Sequence, residues 1–176
     1  MTDTATYLGA NGWLLTMAGL RVLLDPWLSG PLVFPPGAWL LKGEMPELMP
    51  IPDQLDLLLL TQGLPDHAHP ETLQALSKQI PVVASAAAAR VVQRLGFETI
   101  TELRPGDTTT IAGLKIQATA GAAVPAVENG YLLDWHEGSL YLEPHGVLDP
   151  AIDQRSVDTL ITPVVDLGLP MLGAFI

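Results

Sequence analysis

The chain has 176 residues, 19 of them acidic and 8 basic, which gives a net charge of −11 at pH 7. A surface this negative repels a phosphate backbone, so we expect no nucleic-acid partner. The chain contains no cysteine, which excludes disulfides, thiolate metal ligands and a cysteine nucleophile. With 48% apolar and only 15% charged residues, it is predicted to fold, and its length predicts one domain over residues 1–176.

The sequence indicates neither secretion nor a membrane span. No basic segment precedes an apolar core at the start of the chain, so a secretory signal is not predicted. Proline or aspartate interrupts the long apolar stretches, which excludes a membrane-spanning helix. Together with the absence of cysteine, these observations predict a cytoplasmic protein with no membrane partner.

The first third of the chain predicts an antiparallel meander followed by a long loop. Tight turns are expected at Asn11-Gly12 and at Gly19. The strands that they join are predicted at Thr4–Leu8, Trp13–Met17 and Arg21–Leu24. A proline-rich loop from Pro26 to Pro52 is longer than most connections in compact domains, so we expect it to be functional or to cover another part of the fold.

The middle of the chain alternates strands and helices. Leu55–Thr61 contains four consecutive leucines, which predicts a strand buried on both faces. A helix is predicted over Pro70–Lys78, because proline suits a first helical position and the apolar residues follow at helical spacing. A strand at Val82–Ala84 leads to a second helix, which Ser85 caps and which runs to Leu95.

The remaining strands have turn signals between them. They are predicted at Thr108–Ile111, Leu114–Thr119, Gly130–Trp135, Ser139–Leu142 and Thr159–Thr162. Strands that alternate with helices and then continue as hairpins favour a layered α/β or α+β fold.

Two of the four histidines lie in the stretch Asp66-His67-Ala68-His69, between the buried leucine strand and the first helix. Loops at the carboxyl ends of such strands commonly carry functional sites. Asp66 and His67 offer one carboxylate oxygen and one imidazole nitrogen, the ligand types that zinc, iron and manganese prefer. The alternative interpretation is that Asp66 or His69 caps the helix by accepting hydrogen bonds from its free N–H groups.

Several segments resemble, in order, the N-terminal half of the metallo-β-lactamase superfamily, and most closely the branch that contains ascorbate-6-phosphate lactonase. They are Tyr7–Gly9, Trp13–Leu15, Val22–Trp27 and Asp56–His67. The resemblance extends from about Tyr7 to Pro163 and implies a metallo-β-lactamase-like αββα sandwich with metal ions at its sheet edges. Members of the family continue with a further helix, a strand and a last metal-binding histidine, so the resemblance implies a sandwich incomplete at the C-terminus.

The resemblance also identifies departures from the two-metal site of the family. Gln62 and Leu64 stand where the family has its first two histidines, and no histidine occurs over 120–123, where the third is expected. Leucine cannot coordinate a metal, and a glutamine amide is a poor zinc ligand. We therefore expect at most one metal per chain, zinc or another divalent cation, with Gln62 and His69 placed behind its ligands.

The surviving ligand set is predicted to be Asp66, His67 and His145. In the register of the family, His145 falls near the aspartate that bridges the two metals, and Glu143 lies two residues before it. One carboxylate and two imidazoles with open positions are typical of a single catalytic metal. Asp66 and Glu143 are the candidate catalytic residues, with Glu143 as a base. The alternative is that His145 is only a turn residue after a strand.

These features predict a metal-dependent hydrolase that acts on a small ester, lactone or phosphorylated molecule. The alternative is a catalytically inactive member of the family that serves as a binding or assembly module. A nuclease is disfavoured by the negative charge. The uncharged apolar tail Leu167–Ile176 is expected to pack into the core or against a second copy, which would make a homodimer.

Overall fold

The structure is a computed structural model, and it describes residues 2–39, 41–45, 47, 49–123, 127–152 and 154–163, with the backbone of 167–169 and 173–175. The chain forms two compact units, residues 1–103 and residues 104–176.

The first unit is built around a six-stranded sheet in the order β1-β2-β3-β6-β7-β8. Its strands are β1 (Thr4–Gly9), β2 (Gly12–Met17), β3 (Leu20–Leu24), β6 (Leu57–Leu60), β7 (Val82–Ala84) and β8 (Ile100–Glu102). Strands β1, β2 and β3 are antiparallel, whereas β3, β6, β7 and β8 run parallel. The predicted meander is therefore confirmed. Within the predicted proline-rich loop, β4 (Leu32–Val33) pairs with β5 (Lys42–Gly43).

The turn between β2 and β3 has the backbone that the hairpin requires. Ala18 and Gly19 have φ angles of 53° and 74°, and two consecutive positive φ angles match the right-handed twist of paired strands. The glycine that predicted this turn is therefore the residue that adopts its left-handed conformation most easily.

Strand β6 explains the run of four leucines. It lies between the parallel strands β3 and β7, and all four leucine side chains are fully buried. A strand covered on both faces carries no polar alternation. The residues that directly follow β3, β6 and β7 are Asp25, Thr61 and Ser85. They lie at the same edge of the sheet, because the carboxyl ends of neighbouring parallel strands meet there.

Helix α1 (Pro70–Ala75) is shorter than the predicted Pro70–Lys78. Leu76 already has an extended backbone. The ammonium group of Lys78 donates to the carbonyl groups of Leu73 and Gln74, at 2.6 and 3.0 Å, so this residue stabilises the carboxyl end of the helix and does not extend it. Helix α2 (Ala86–Arg94) begins as predicted, with the Ser85 hydroxyl accepting from the backbone N–H of Ala88.

The second unit contains a five-stranded sheet in the order β13-β12-β11-β10-β9. Its strands are β9 (Thr108–Ile111), β10 (Leu114–Ala120), β11 (Asn129–Trp135), β12 (Gly138–Leu142) and β13 (Thr159–Ile161). A 3-10 helix at Pro150–Ile152 precedes β13, which pairs in parallel with β12. The predicted strands are found with ends shifted by one residue at most.

Near the end of the chain, the backbones of β14 (Leu167–Leu169) and β15 (Gly173–Phe175) pair as an antiparallel ladder. The expected packing of the apolar tail lies outside the described residues. In the part of the chain that the structure describes, no helix is long and apolar enough to cross a bilayer.

Candidate metal centre

The first unit holds a buried carboxylate–imidazole pair at the carboxyl ends of its parallel strands. His67 Nδ1 lies 2.8 Å from Asp25 Oδ2, and both side chains are buried. Thr61 fixes the carboxylate through its backbone N–H, 2.8 Å from Oδ1, and through its hydroxyl group. Asp25 has a φ of 39°, a left-handed backbone that is uncommon outside glycine and that tends to mark functional sites.

The loop after β6 places His67 beside this carboxylate. The backbone N–H groups of His67 and Ala68 donate to the Leu64 carbonyl, at 3.0 and 2.8 Å, which closes a tight turn. Gly63 lies against the first turn of α2, where a Cβ atom would come within 2.8 Å of the carbonyl carbon of Ala87. Only a glycine permits this close approach without displacement of the loop.

The other ring nitrogen of His67 faces Asp66. His67 Nε2 lies 3.4 Å from Asp66 Oδ2. The side-chain amide nitrogen of Asn11, from the turn between β1 and β2, lies 3.1 Å from Nε2 and donates to Asp66 Oδ2 at 3.4 Å. An imidazole nitrogen and a carboxylate oxygen therefore converge on one polar group at the tip of a hairpin.

The carboxylates determine the protonation of His67. Burial disfavours the charged ring, but the negative charge and the hydrogen bond of Asp25, together with Asp66, raise the pKa of His67 to about 10. Burial raises the pKa of Asp25, while His67 and Thr61 act in the opposite direction. In the absence of a metal, the pair is therefore a buried ion pair.

Asp66 and His67 fit a divalent metal. Two ligand atoms that each lie about 2.1 Å from one tetrahedral ion are separated by about 3.4 Å, which matches the separation of Asp66 Oδ2 and His67 Nε2. A histidine that binds a metal usually donates its other N–H to a carboxylate. Asp25 accepts in that way from Nδ1 and leaves Nε2 for the ion.

His69 has a different role in this unit. Its Nδ1 atom accepts from the backbone N–H of Thr72 at 3.3 Å, so His69 is the N-cap of α1. Its Nε2 atom lies 3.2 Å from the Pro31 carbonyl, and burial lowers its pKa. These contacts match the capping interpretation for this histidine. Gln62 is buried, and its place behind the metal ligands stays a prediction.

The second unit contains its own carboxylate–imidazole pair. His145 Nδ1 lies 2.7 Å from Glu128 Oε1. The same oxygen accepts from the backbone N–H of Ala122 at 3.1 Å, and the Glu128 side chain is fully buried. His145 is partly exposed, with 26% of its side chain accessible.

Glu143 holds the turn that carries His145. Its Oε2 atom accepts from the backbone N–H groups of His145 and Val147, at 2.9 and 2.8 Å. Its Oε1 atom is buried and has no hydrogen-bond partner among the described residues. Burial, opposed by these backbone hydrogen bonds and reinforced by the charge of Glu128, raises the pKa of Glu143 to about 7.

Asp25 and Glu128 are site residues that the sequence patterns did not predict. Asp25 had a usable signal, because it directly follows a strand that is parallel to the leucine strand, and the ends of such strands meet at one edge. For Glu128 the sequence offered no signal beyond an acidic residue before a strand. Within the first unit, a groove of about 530 Å³ lies at the opposite ends of β6 and β7 from Asp25, and is lined by residues such as Asp56 and Pro81.

Comparison with known proteins assigns the family. A family profile for the beta-lactamase superfamily domain matches residues 4–173. The chain belongs to the metallo-β-lactamase superfamily. It is 28% identical to a UPF0173 metal-dependent hydrolase of Methanopyrus kandleri, over 97% of this chain and 72% of that protein. A UPF0173 metal-dependent hydrolase of Herpetosiphon aurantiacus is 29% identical, over 82% of this chain and 55% of its own length. The chain thus spans only part of these relatives.

Solved structures of the superfamily share the fold. An isothiocyanate hydrolase from Delia radicum gut bacteria matches with a TM-score of 0.75 and 19% identity, over 98% of this chain and 75% of that one. The metallo-β-lactamase fold protein YhfI from Bacillus subtilis matches with a TM-score of 0.59 and 14% identity, over 86% and 61%. The predicted metallo-β-lactamase-like fold is confirmed. The lactonase branch of the superfamily stays a prediction.

Proposed function

We propose that this chain is a metal-dependent hydrolase that binds one divalent cation through Asp66 and His67, and that acts on a small ester, lactone or phosphorylated molecule. The observation that supports the proposal most is the 3.4 Å separation of Asp66 Oδ2 and His67 Nε2, with Asp25 on the other ring nitrogen. Relatives of the chain are named metal-dependent hydrolases.

His145 is proposed as the third ligand on the basis of the sequence resemblance. We propose only one metal ion per chain, because Gln62 and Leu64 replace two histidines of the family. A bound divalent ion would supply Lewis acidity, which activates water as a nucleophile at neutral pH and polarises a carbonyl or phosphoryl oxygen.

Glu143 is proposed as the base. A base works best when its pKa lies near the working pH, and that of Glu143 is raised to about 7. The buried Oε1 atom is the oxygen available to take up a proton, since Oε2 is committed to two backbone N–H groups. Asp66 would orient the reacting water as well as bind the metal.

Metal analysis tests the proposal. Protein purified without chelator should contain about one divalent metal ion per chain by elemental mass spectrometry. Asp66→Ala and His67→Gln should reduce the content to background, because each removes a ligand. His136→Ala is the matched control, since this histidine is 94% exposed in the turn between β11 and β12.

A hydrolysis screen with simple esters, lactones and phosphate esters should then show turnover by the metal-loaded protein that is lost in Glu143→Gln. Metal bound only to the folded state raises the free energy of unfolding, by about 2.7 kcal/mol at a hundredfold excess over Kd. The proposal would be contradicted if the purified protein contained no metal and its melting temperature changed with neither zinc nor chelator. That result would favour the inactive binding module.

A further inference from the structure

We propose that Glu128 is a positioning residue that holds His145 with its proton on Nδ1 and so leaves Nε2 as the metal-binding atom. The inference rests on the proposed function in one respect, namely that His145 binds the metal. It adds a residue that neither the sequence resemblance nor the comparisons assign.

The contact between the two side chains fixes the tautomer. An ionised carboxylate can only accept hydrogen bonds, so beside an ionised Glu128 the ring nitrogen 2.7 Å from Oε1 carries the proton. In a neutral imidazole the lone pair that can bind a metal is then on the other nitrogen. Histidine ligands with such a carboxylate partner are oriented and made more basic by it, and loss of the partner typically weakens metal binding 10- to 100-fold.

Glu128 is itself held rigidly. Its backbone N–H donates to the Ala122 carbonyl at 2.9 Å, and its carbonyl accepts from Gly121 at 3.3 Å. Its carboxylate accepts from Ala122 N–H. Gly121 leaves room for the side chain, because a Cβ atom there would come within 2.8 Å of Glu128 Cγ. Burial and these contacts keep Glu128 from turning away.

His145 is therefore fixed from two sides within the second unit. Glu143 binds the backbone N–H of His145, and Glu128 binds its ring. The first unit repeats the arrangement with Asp25 and His67 Nδ1, at 2.8 Å. In contrast, Glu137 and His136 form an exposed pair, 3.6 Å apart, that positions nothing and provides a control.

The test is metal affinity, measured by competition with a zinc-binding dye on the full chain. Glu128→Gln keeps the shape of the side chain, but its amide can donate as well as accept, so the ring is no longer fixed. We expect zinc affinity to fall 10- to 100-fold, with Glu128→Asp less affected. Gly121→Ala, which displaces Glu128 without changing it, should also weaken binding. Glu137→Gln should match the wild type.

A second readout reports the tautomer directly. In nitrogen-15 NMR spectra of the metal-free wild type, His145 should carry its proton on Nδ1, and in Glu128→Gln both forms should appear. A wild-type ring protonated on Nε2 alone would overturn the inference, whether or not the variants fold.

The outcomes separate the inference from the proposed function. If His145→Gln binds zinc as the wild type does, the third ligand of the proposed function is wrong, and the role of Glu128 falls with it. If His145→Gln loses zinc while Glu128→Gln keeps both affinity and tautomer, the proposed ligand stands and the inference alone is overturned.

Discussion

His67 has a carboxylate beside each of its ring nitrogens, and the two have different consequences. Asp25 is buried with it and accepts at Nδ1, whereas Asp66 is partly exposed and faces Nε2. Removing either partner of a buried ion pair leaves an uncompensated charge. The buried carboxylate of Asp25 therefore maintains the orientation of the ring. Asp66 lies on the side of the ring that a metal would approach.

The raised pKa of His67 predicts how metal binding depends on pH. The ring is protonated below about pH 10, and a metal must displace the Nε2 proton. Zinc affinity should therefore rise about tenfold for each pH unit between pH 6 and 8. Dye competition at several pH values measures this slope. In Asp25→Asn, the slope should flatten above the ordinary histidine pKa of about 6.5. A flat profile in the wild type would contradict the ligand role of Nε2.

Asn11 offers a gain-of-affinity variant. Its amide nitrogen lies near both His67 Nε2 and Asp66 Oδ2, so Asn11→Asp places a third ligand, a second carboxylate, at the same point. We expect zinc to bind at least tenfold more tightly, as measured by calorimetry. Thr6→Asp adds the same charge at an exposed position of β1 and should leave affinity unchanged; equal effects of both variants would point to net charge alone.

The sequence could predict Asp66 and His67, because adjacent ligand types in a loop after a buried strand form a local pattern. It could not predict their partners equally well. Asp25 meets His67 across 42 positions of the chain, and Glu128 meets His145 across 17. Such contacts depend on strand order and on turns, which a single sequence does not specify.

The loop between β6 and α1 depends on its contact with α2. Gly63 lies so close to the backbone of Ala87 that an added methyl group must displace one of the two segments. Gly63→Ala should lower the free energy of unfolding by about 1–3 kcal/mol and also weaken zinc binding, because Asp66 and His67 follow in the same loop. Chemical denaturation and dye competition measure the two effects.

Gly19→Ala is the control for that variant. Gly19 has a φ of 74° and no atom within 4 Å of an added Cβ, so alanine strains the turn but leaves the loop in place. Its stability should fall while zinc affinity stays at the wild-type value. Normal zinc affinity in Gly63→Ala would show that the close approach does not position the ligands.

Strands flanked by glycine turns were predictable, since the turn signal and the apolar pattern agree. Helix α1 was predicted too long because Leu76 and Ile80 continue the helical spacing of its apolar residues, although the Lys78 side chain donates to the last carbonyl groups. The short strands β4, β5, β8, β14 and β15 were missed. Two or three residues carry no periodicity, and β8 forms because β7 offers a parallel edge.

The free energy of unfolding of the whole protein should depend on pH through Glu143. Its pKa is about 7 in the folded state and near 4.5 in an unfolded chain, so the folded protein binds the proton more tightly. The resulting stabilisation is complete below about pH 4.5 and is lost as pH rises to 7. With chelator present, the stability of the wild type relative to Glu143→Gln should therefore fall between pH 5 and 7.5.

Urea denaturation at several pH values checks this expectation. Glu137→Gln, with an exposed carboxylate, should track the wild type at every pH. If the wild type and Glu143→Gln differ in stability by the same amount at every pH, the carboxyl group titrates as it does in water.

The order of several short motifs predicted the superfamily correctly, because such an order reflects the succession of strands and loops and does not require a complete set of ligands.

The hairpin turn that carries Asn11 has a kinetic consequence. An incoming ion must first displace the Asn11 amide, which donates to Asp66 and lies beside His67 Nε2. Uptake should therefore be slower than free diffusion and should saturate at the rate at which the hairpin tip opens. The rate of cation exchange would then depend on how often the hairpin of β1 and β2 opens. Shortening or stiffening its turn would change the residence time of the ion more than its equilibrium occupancy.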